Sequence, residues 1–98
     1  MNRPTALIAE DEALMRERLK EKLADAWPEL DVVAEAADGN QAIAMFADWQ
    51  PQIAFLDIRM PGMSGLDVAA AIGGDCHVVF ITAYDQYALQ AFDAGAVD

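Results

Sequence analysis

The run Ile53-Ala54-Phe55-Leu56-Asp57-Ile58-Arg59-Met60-Pro61-Gly62-Met63-Ser64-Gly65 decides the reading of this chain. Four consecutive apolar residues, followed by a turn rich in Pro and Gly, fit a strand covered on both faces, as in a parallel sheet. Asp57 closes that strand, and ligands of open α/β sheets bind in the crevice beyond the carboxyl ends of the strands. A strand-end aspartate can also simply begin a turn. Asp57 alone therefore suggests a site without defining its chemistry.

A second apolar run, Thr5-Ala6-Leu7-Ile8-Ala9, ends in Glu10-Asp11-Glu12. If the two strands are parallel neighbours, Glu10, Asp11 and Asp57 converge at one sheet edge. Carboxylates that close repel one another, and one takes up a proton unless a cation neutralises them. Mg²⁺, which combines few carboxylates with waters and phosphoryl oxygens, suits such a site. The same acids can also complement the dipole of the following helix, with Glu12 in its first turn. A third run, Val78-Val79-Phe80-Ile81-Thr82-Ala83, ends in a hydroxyl and a small residue. The Thr82 hydroxyl and the Ala83 amide are expected to face an oxyanion or phosphoryl group on Asp57.

Between these runs the pattern alternates. Leu14, Met15, Leu19, Leu23 and Ala26 recur at helical steps, with Arg16, Glu17, Lys20 and Glu21 between them, and the helix is expected to end near Trp27-Pro28. Leu30 to Ala36 reads as a sheet-edge strand. Asp38-Gly39-Asn40 is a turn, with Asn40 capping a helix that buries Ala42, Ile43, Phe46 and Ala47. Leu66 to Ile72 is a short helix stopped by Gly73-Gly74, and Gln86 to Asp93 is another. Such alternation predicts right-handed crossovers and a doubly wound, flavodoxin-like parallel sheet of order 2-1-3-4-(5), which sets the first and third strands side by side.

Taken together, Ala6-Leu7-Ile8-Ala9-Glu10-Asp11-Glu12, Phe55-Leu56-Asp57-Ile58-Arg59-Met60-Pro61-Gly62-Met63-Ser64-Gly65 and Phe80-Ile81-Thr82-Ala83-Tyr84-Asp85 resemble the receiver domain of two-component response regulators. The resemblance runs from Thr5 to Asp98. The stretch from Phe80 through Leu89 and Ala91-Phe92 to Ala94-Gly95-Ala96-Val97-Asp98 resembles the variant in LytTR-type regulators, whose effector domains bind DNA. The resemblance implies phosphoryl transfer from a sensor histidine kinase to Asp57, the phosphoacceptor and a metal ligand. It implies Mg²⁺ held by Asp57, by Asp11 directly, by Glu10 through water and by the backbone carbonyl of Arg59. Thr82 and Ala83 would bind the phosphoryl group and report it to the fourth helix, with Arg59 and Tyr84 beside the entrance to the site. The domain is not expected to be an enzyme in its own right. Asp57-Ile58-Arg59 lacks the second acid of the Asp-x-Asp phosphatases, which need a positioned proton donor.

Ninety-eight residues suit one domain, here a receiver domain over 1–98. The family continues through a fifth strand, which ends in a lysine followed by proline, and a fifth helix. These lie beyond Ala96-Val97-Asp98, so the resemblance implies a receiver cut short at its C-terminal end. The expected consequence is an apolar fourth-strand edge, with homodimerisation through that edge or the fourth helix. A receiver-like dimerisation module without phosphotransfer is the alternative reading. A net charge of −11 argues against direct nucleic-acid binding. Cys76 is the only cysteine, no apolar stretch of about 18 residues occurs, and Met1-Asn2-Arg3-Pro4 lacks a signal-peptide core, so a cytoplasmic setting without membrane contact is expected. His77, Trp27 and Trp49 read as structural residues.

Overall fold

Apolar strands alternating with helices assemble in the computed structural model, which describes residues 3–74 and 76–81, as β1 (Thr5–Ala9), α1 (Ala13–Ala26), β2 (Asp31–Ala36), α2 (Gly39–Trp49), β3 (Ile53–Asp57), α3 (Gly65–Ile72) and β4 (His77–Ile81). The four strands form a parallel sheet of order β2-β1-β3-β4. This is the expected flavodoxin-like order, with β1 and β3 adjacent at its centre. The expected helix over 86–93 lies outside the described residues. Among the described residues no helix is long and apolar enough to cross a membrane.

The period of two along each strand divides the core into two layers. Leu7, Ala9, Ala54 and Leu56 face α2 and α3 and pack with Ala42, Val68, Phe46 and Ile72. Ala6, Ile8 and Phe55 face α1, where Leu19 and Leu23 close over them. The β1–β2 register slips between Ala6 and Leu7, so that Ala6 pairs with Val32 and Leu7 with Ala34. This bulge lets Val33 and Ala34 both pack toward the α2–α3 layer.

Four local expectations are corrected. The N-cap of α2 is Asp38, whose side chain accepts from the Gln41 amide at 2.8 Å; Asn40 is already inside the helix. Ala47 is exposed rather than buried. Leu14, in the first turn of α1, is 63% exposed, whereas Leu19 and Leu23 pack on the core. Trp49 is 58% exposed and so covers little of the core. α3 begins at Gly65, with Ser64 as a side-chain cap, and ends at Gly73, whose φ of 85° is readily adopted only by glycine.

Candidate functional site

The register of the central strands builds the site. Ala9 of β1 pairs with Leu56 of β3. One residue further along each parallel strand stand Glu10 and Asp57, on the same side parity as Ile8 and Phe55. Both carboxylates are buried, at 6% and 7% exposure, while Asp11 is exposed. One carboxylate oxygen from each of Glu10, Asp11 and Asp57 lies within 4.8 Å of the others. The expected convergence is thus present.

Each buried carboxylate is held by a backbone amide. The Glu12 amide donates to Glu10 Oε2 at 2.9 Å, and the Arg59 amide donates to Asp57 Oδ1 at 3.3 Å. Glu12 occupies the N-cap position of α1 without a side-chain cap bond, so the expectation that it sits in the first turn is corrected. Its contribution is the amide that it offers to Glu10. The Glu10 backbone is fixed on both flanks. Its N–H donates to the Ala36 carbonyl at 3.0 Å, and its carbonyl accepts from Arg16 Nη1 at 2.6 Å.

The loop after Asp57 folds back tightly. The Ile58 amide donates to Ile81, and the Gly65 amide returns to the Ile58 carbonyl at 3.0 Å. A β-carbon on Gly65 would lie 2.2 Å from the Asp57 carbonyl oxygen, so only glycine fits there. A β-carbon on Gly39 would meet Met63 of the same loop at 2.7 Å. The sequence pattern gives Gly39 only a place in a turn and Gly65 only a place in the Asp57 motif, and neither close contact is visible there. Arg16 was equally hidden, one basic residue on a charged helix face.

Burial sets the electrostatics. It raises the Glu10 carboxyl to about 7, helped by the nearby Asp57 charge and by hydrogen bonds to Asp11 and Asp57, and opposed by the Glu12 amide. Asp57 is also raised by burial, against the Arg59 amide and its hydrogen bond with Glu10. Without a cation, burial and the neighbouring Asp57 charge thus favour a proton on Glu10 more than on an ordinary carboxylate. A hard divalent cation can replace that proton, and three oxygen donors match its preference. One oxygen from each of the three carboxylates, all within 4.8 Å of one another, could serve such an ion.

Arg59 belongs to the loop beside Asp57, as its amide bond shows. Thr82, Ala83 and Tyr84 lie outside the described residues. Cys76 is buried and hydrogen-bonds the His77 carbonyl at 3.6 Å, at the opposite end of β4 from the residue that pairs with Asp57.

The family model described as the response regulator receiver domain matches residues 6–98. An uncharacterized response regulatory protein of Vibrio cholerae is 46% identical over 97 residues, covering 96% of this chain and 37% of that protein. The sensory transduction protein LytT of Oceanobacillus iheyensis is 38% identical over 99 residues, covering 94% of this chain and 39% of LytT. The chain thus spans about two fifths of the length of these relatives. Among solved structures, the signal receiver domain of the putative response regulator NarL from Mycobacterium tuberculosis superposes with a TM-score of 0.77 at 34% identity, covering 92% of this chain and 78% of that one.

Proposed function

Since this chain belongs to the response regulator receiver domain family, we propose that Asp57 is its phosphoacceptor, taking a phosphoryl group from the phosphohistidine of a sensor histidine kinase. The observation that carries this reading is the meeting of Glu10, Asp11 and Asp57 at the C-terminal edge of two adjacent parallel strands. An Asp57 carboxylate oxygen attacks phosphorus, the donor's P–N bond breaks, and its electron pair stays on the imidazole. The product is an acyl phosphate.

The residues divide the work. Asp57, Asp11 and the Arg59 backbone carbonyl would hold Mg²⁺ directly, and Glu10 would do so through water. When bound, Mg²⁺ neutralises the carboxylates and the incoming phosphoryl oxygens. The Arg59 amide orients the Asp57 carboxylate, and burial between the strands keeps that side chain from swinging away. Arg59 and Tyr84 would border the entrance, and Thr82 with the Ala83 amide would grip the transferred group. The 98 residues then act as one receiver domain, and the longer relatives support a further output domain that regulates transcription. The LytT relative supports a LytTR-type output.

The test is chemical. Labelled phosphodonor with Mg²⁺ should mark the protein with a phosphoryl group that hydroxylamine removes, as it does acyl phosphates, and Asp57→Asn should take up no label. Hydroxylamine-resistant label, or label retained in Asp57→Asn, would overturn the assignment. A second reading, a dimerising module without phosphotransfer, draws on β4, which pairs only with β3 among the described residues. It requires self-association in light scattering together with no labelling; a labelled monomer contradicts it.

A further inference from the structure

We propose that Arg16 is a positioning residue for the acidic site, setting the Glu10–Asp11 segment from α1. This rests on the reading of that site as a metal-assisted phosphoacceptor centre. Arg16 Nη1 donates to the Glu10 carbonyl oxygen at 2.6 Å, a short charge-assisted bond. Its Nε lies 3.4 Å from Glu35 Oε1 on β2. The other oxygen of Glu35 meets Lys20 Nζ at 2.9 Å, and Lys20 also reaches Glu17 at 3.1 Å. The guanidinium therefore ties the end of β1 to β2 and is itself tied down. Its side chain is 20% exposed, so these bonds are only partly screened by water.

The Glu10 carbonyl lies one residue past the paired register of β1 with β2 and β3, which ends at Ala9. The ladder still holds the Glu10 amide, through Ala36, and Arg16 holds the carbonyl. Ala36 thus fixes the peptide plane before Glu10, and Arg16 fixes the one between Glu10 and Asp11. If that plane rotates, the Glu10 side chain and the whole of Asp11 move, and both are candidate ligands. Lysine replaces Arg16 only in part, because a single ammonium lacks the fork that reaches the Glu10 carbonyl and Glu35 together. Partners that orient metal ligands in this way typically cost about tenfold or more in affinity when removed.

Two measurements on the full chain test this. Calorimetric titration with Mg²⁺ is compared for wild type, Arg16→Met, which keeps an apolar stem, and Arg16→Lys. Amide hydrogen exchange without metal compares Glu10 and Glu12 with the core strand residues Leu7 and Phe55. The expected result is Mg²⁺ affinity about tenfold weaker in Arg16→Met and intermediate in Arg16→Lys. Exchange should accelerate at Glu10 and Glu12 but not at Leu7 or Phe55. If Arg16→Met does not fold, Glu35→Gln should show a smaller loss in the same direction, since it only loosens the anchor.

Unchanged Mg²⁺ affinity in the variants, or equal acceleration at all four amides, would overturn the proposal. If wild type itself binds no Mg²⁺, the phosphoacceptor reading fails. The exchange pattern then still decides whether Arg16 holds the segment.

Discussion

Gly65 touches Asp57 so closely that a β-carbon on the glycine would lie 2.2 Å from the Asp57 carbonyl oxygen. The first residue of α3 thus presses on the backbone of the candidate phosphoacceptor, and the Gly65 amide bonds the next carbonyl, that of Ile58. Helix and strand end share one rigid junction. Its geometry determines where the Asp57 carboxylate points.

Gly65→Ala should therefore force the junction apart. The expected cost is about 1–3 kcal/mol, the range for overpacking a tight site, with slower phosphoryl uptake on Asp57. Gly74→Ala is the control, because nothing lies within 4 Å of a β-carbon there. It should change stability by less than about 0.5 kcal/mol. Chemical denaturation of both variants checks the contrast, and equal effects would sink the close-contact account.

The metal-free protein should lose stability as pH rises. Glu10 carries its proton more tightly when folded, with its carboxyl raised from 4.5 to about 7, chiefly by burial. A raised carboxyl favours the folded state most below its unfolded value, and the benefit fades as pH climbs through the folded value. With chelator present, unfolding free energy should fall by on the order of 2–3 kcal/mol between about pH 5 and pH 8. Asp57, raised as well, acts in the same direction. Glu10→Gln should flatten the slope, and Mg²⁺ should restore stability at high pH. A metal-free protein that gains stability over this range would contradict the placement of Glu10.

The cap of α2 separates two neighbouring polar residues. Asp38→Ala removes the bond to the Gln41 amide and should cost about 1 kcal/mol. Asn40→Ala, at an exposed position inside the helix, should cost under about 0.5 kcal/mol. Thermal unfolding of the two variants distinguishes them, and the reverse order would restore Asn40 as the cap.

These residues also show what the sequence made legible. Buried parallel strands are nearly continuous apolar runs, so β1, β3 and β4 stand out, and their ends point directly to Glu10, Asp11 and Asp57. Sheet order followed from strand-helix alternation, which also brought the acids together. Side-chain caps were harder, since Asp38 and Asn40 are equally good cap formers two positions apart and only the backbone path selects one. Leu14 matched the helical period yet lies 63% exposed, whereas Leu19 and Leu23 pack on the core, a difference that periodicity does not encode. The tightness at Gly65 and the reach of Arg16 across to Glu35 depend on distances between elements, and no local pattern encodes them.

Intact-mass spectrometry after incubation with a small phosphodonor tests the central claim most directly, with Mg²⁺ present or chelated and with Asp57→Asn alongside. The account predicts a single phosphoryl adduct that requires Mg²⁺ and is absent from Asp57→Asn. An adduct that persists in Asp57→Asn, or no adduct on folded protein supplied with Mg²⁺, would contradict it.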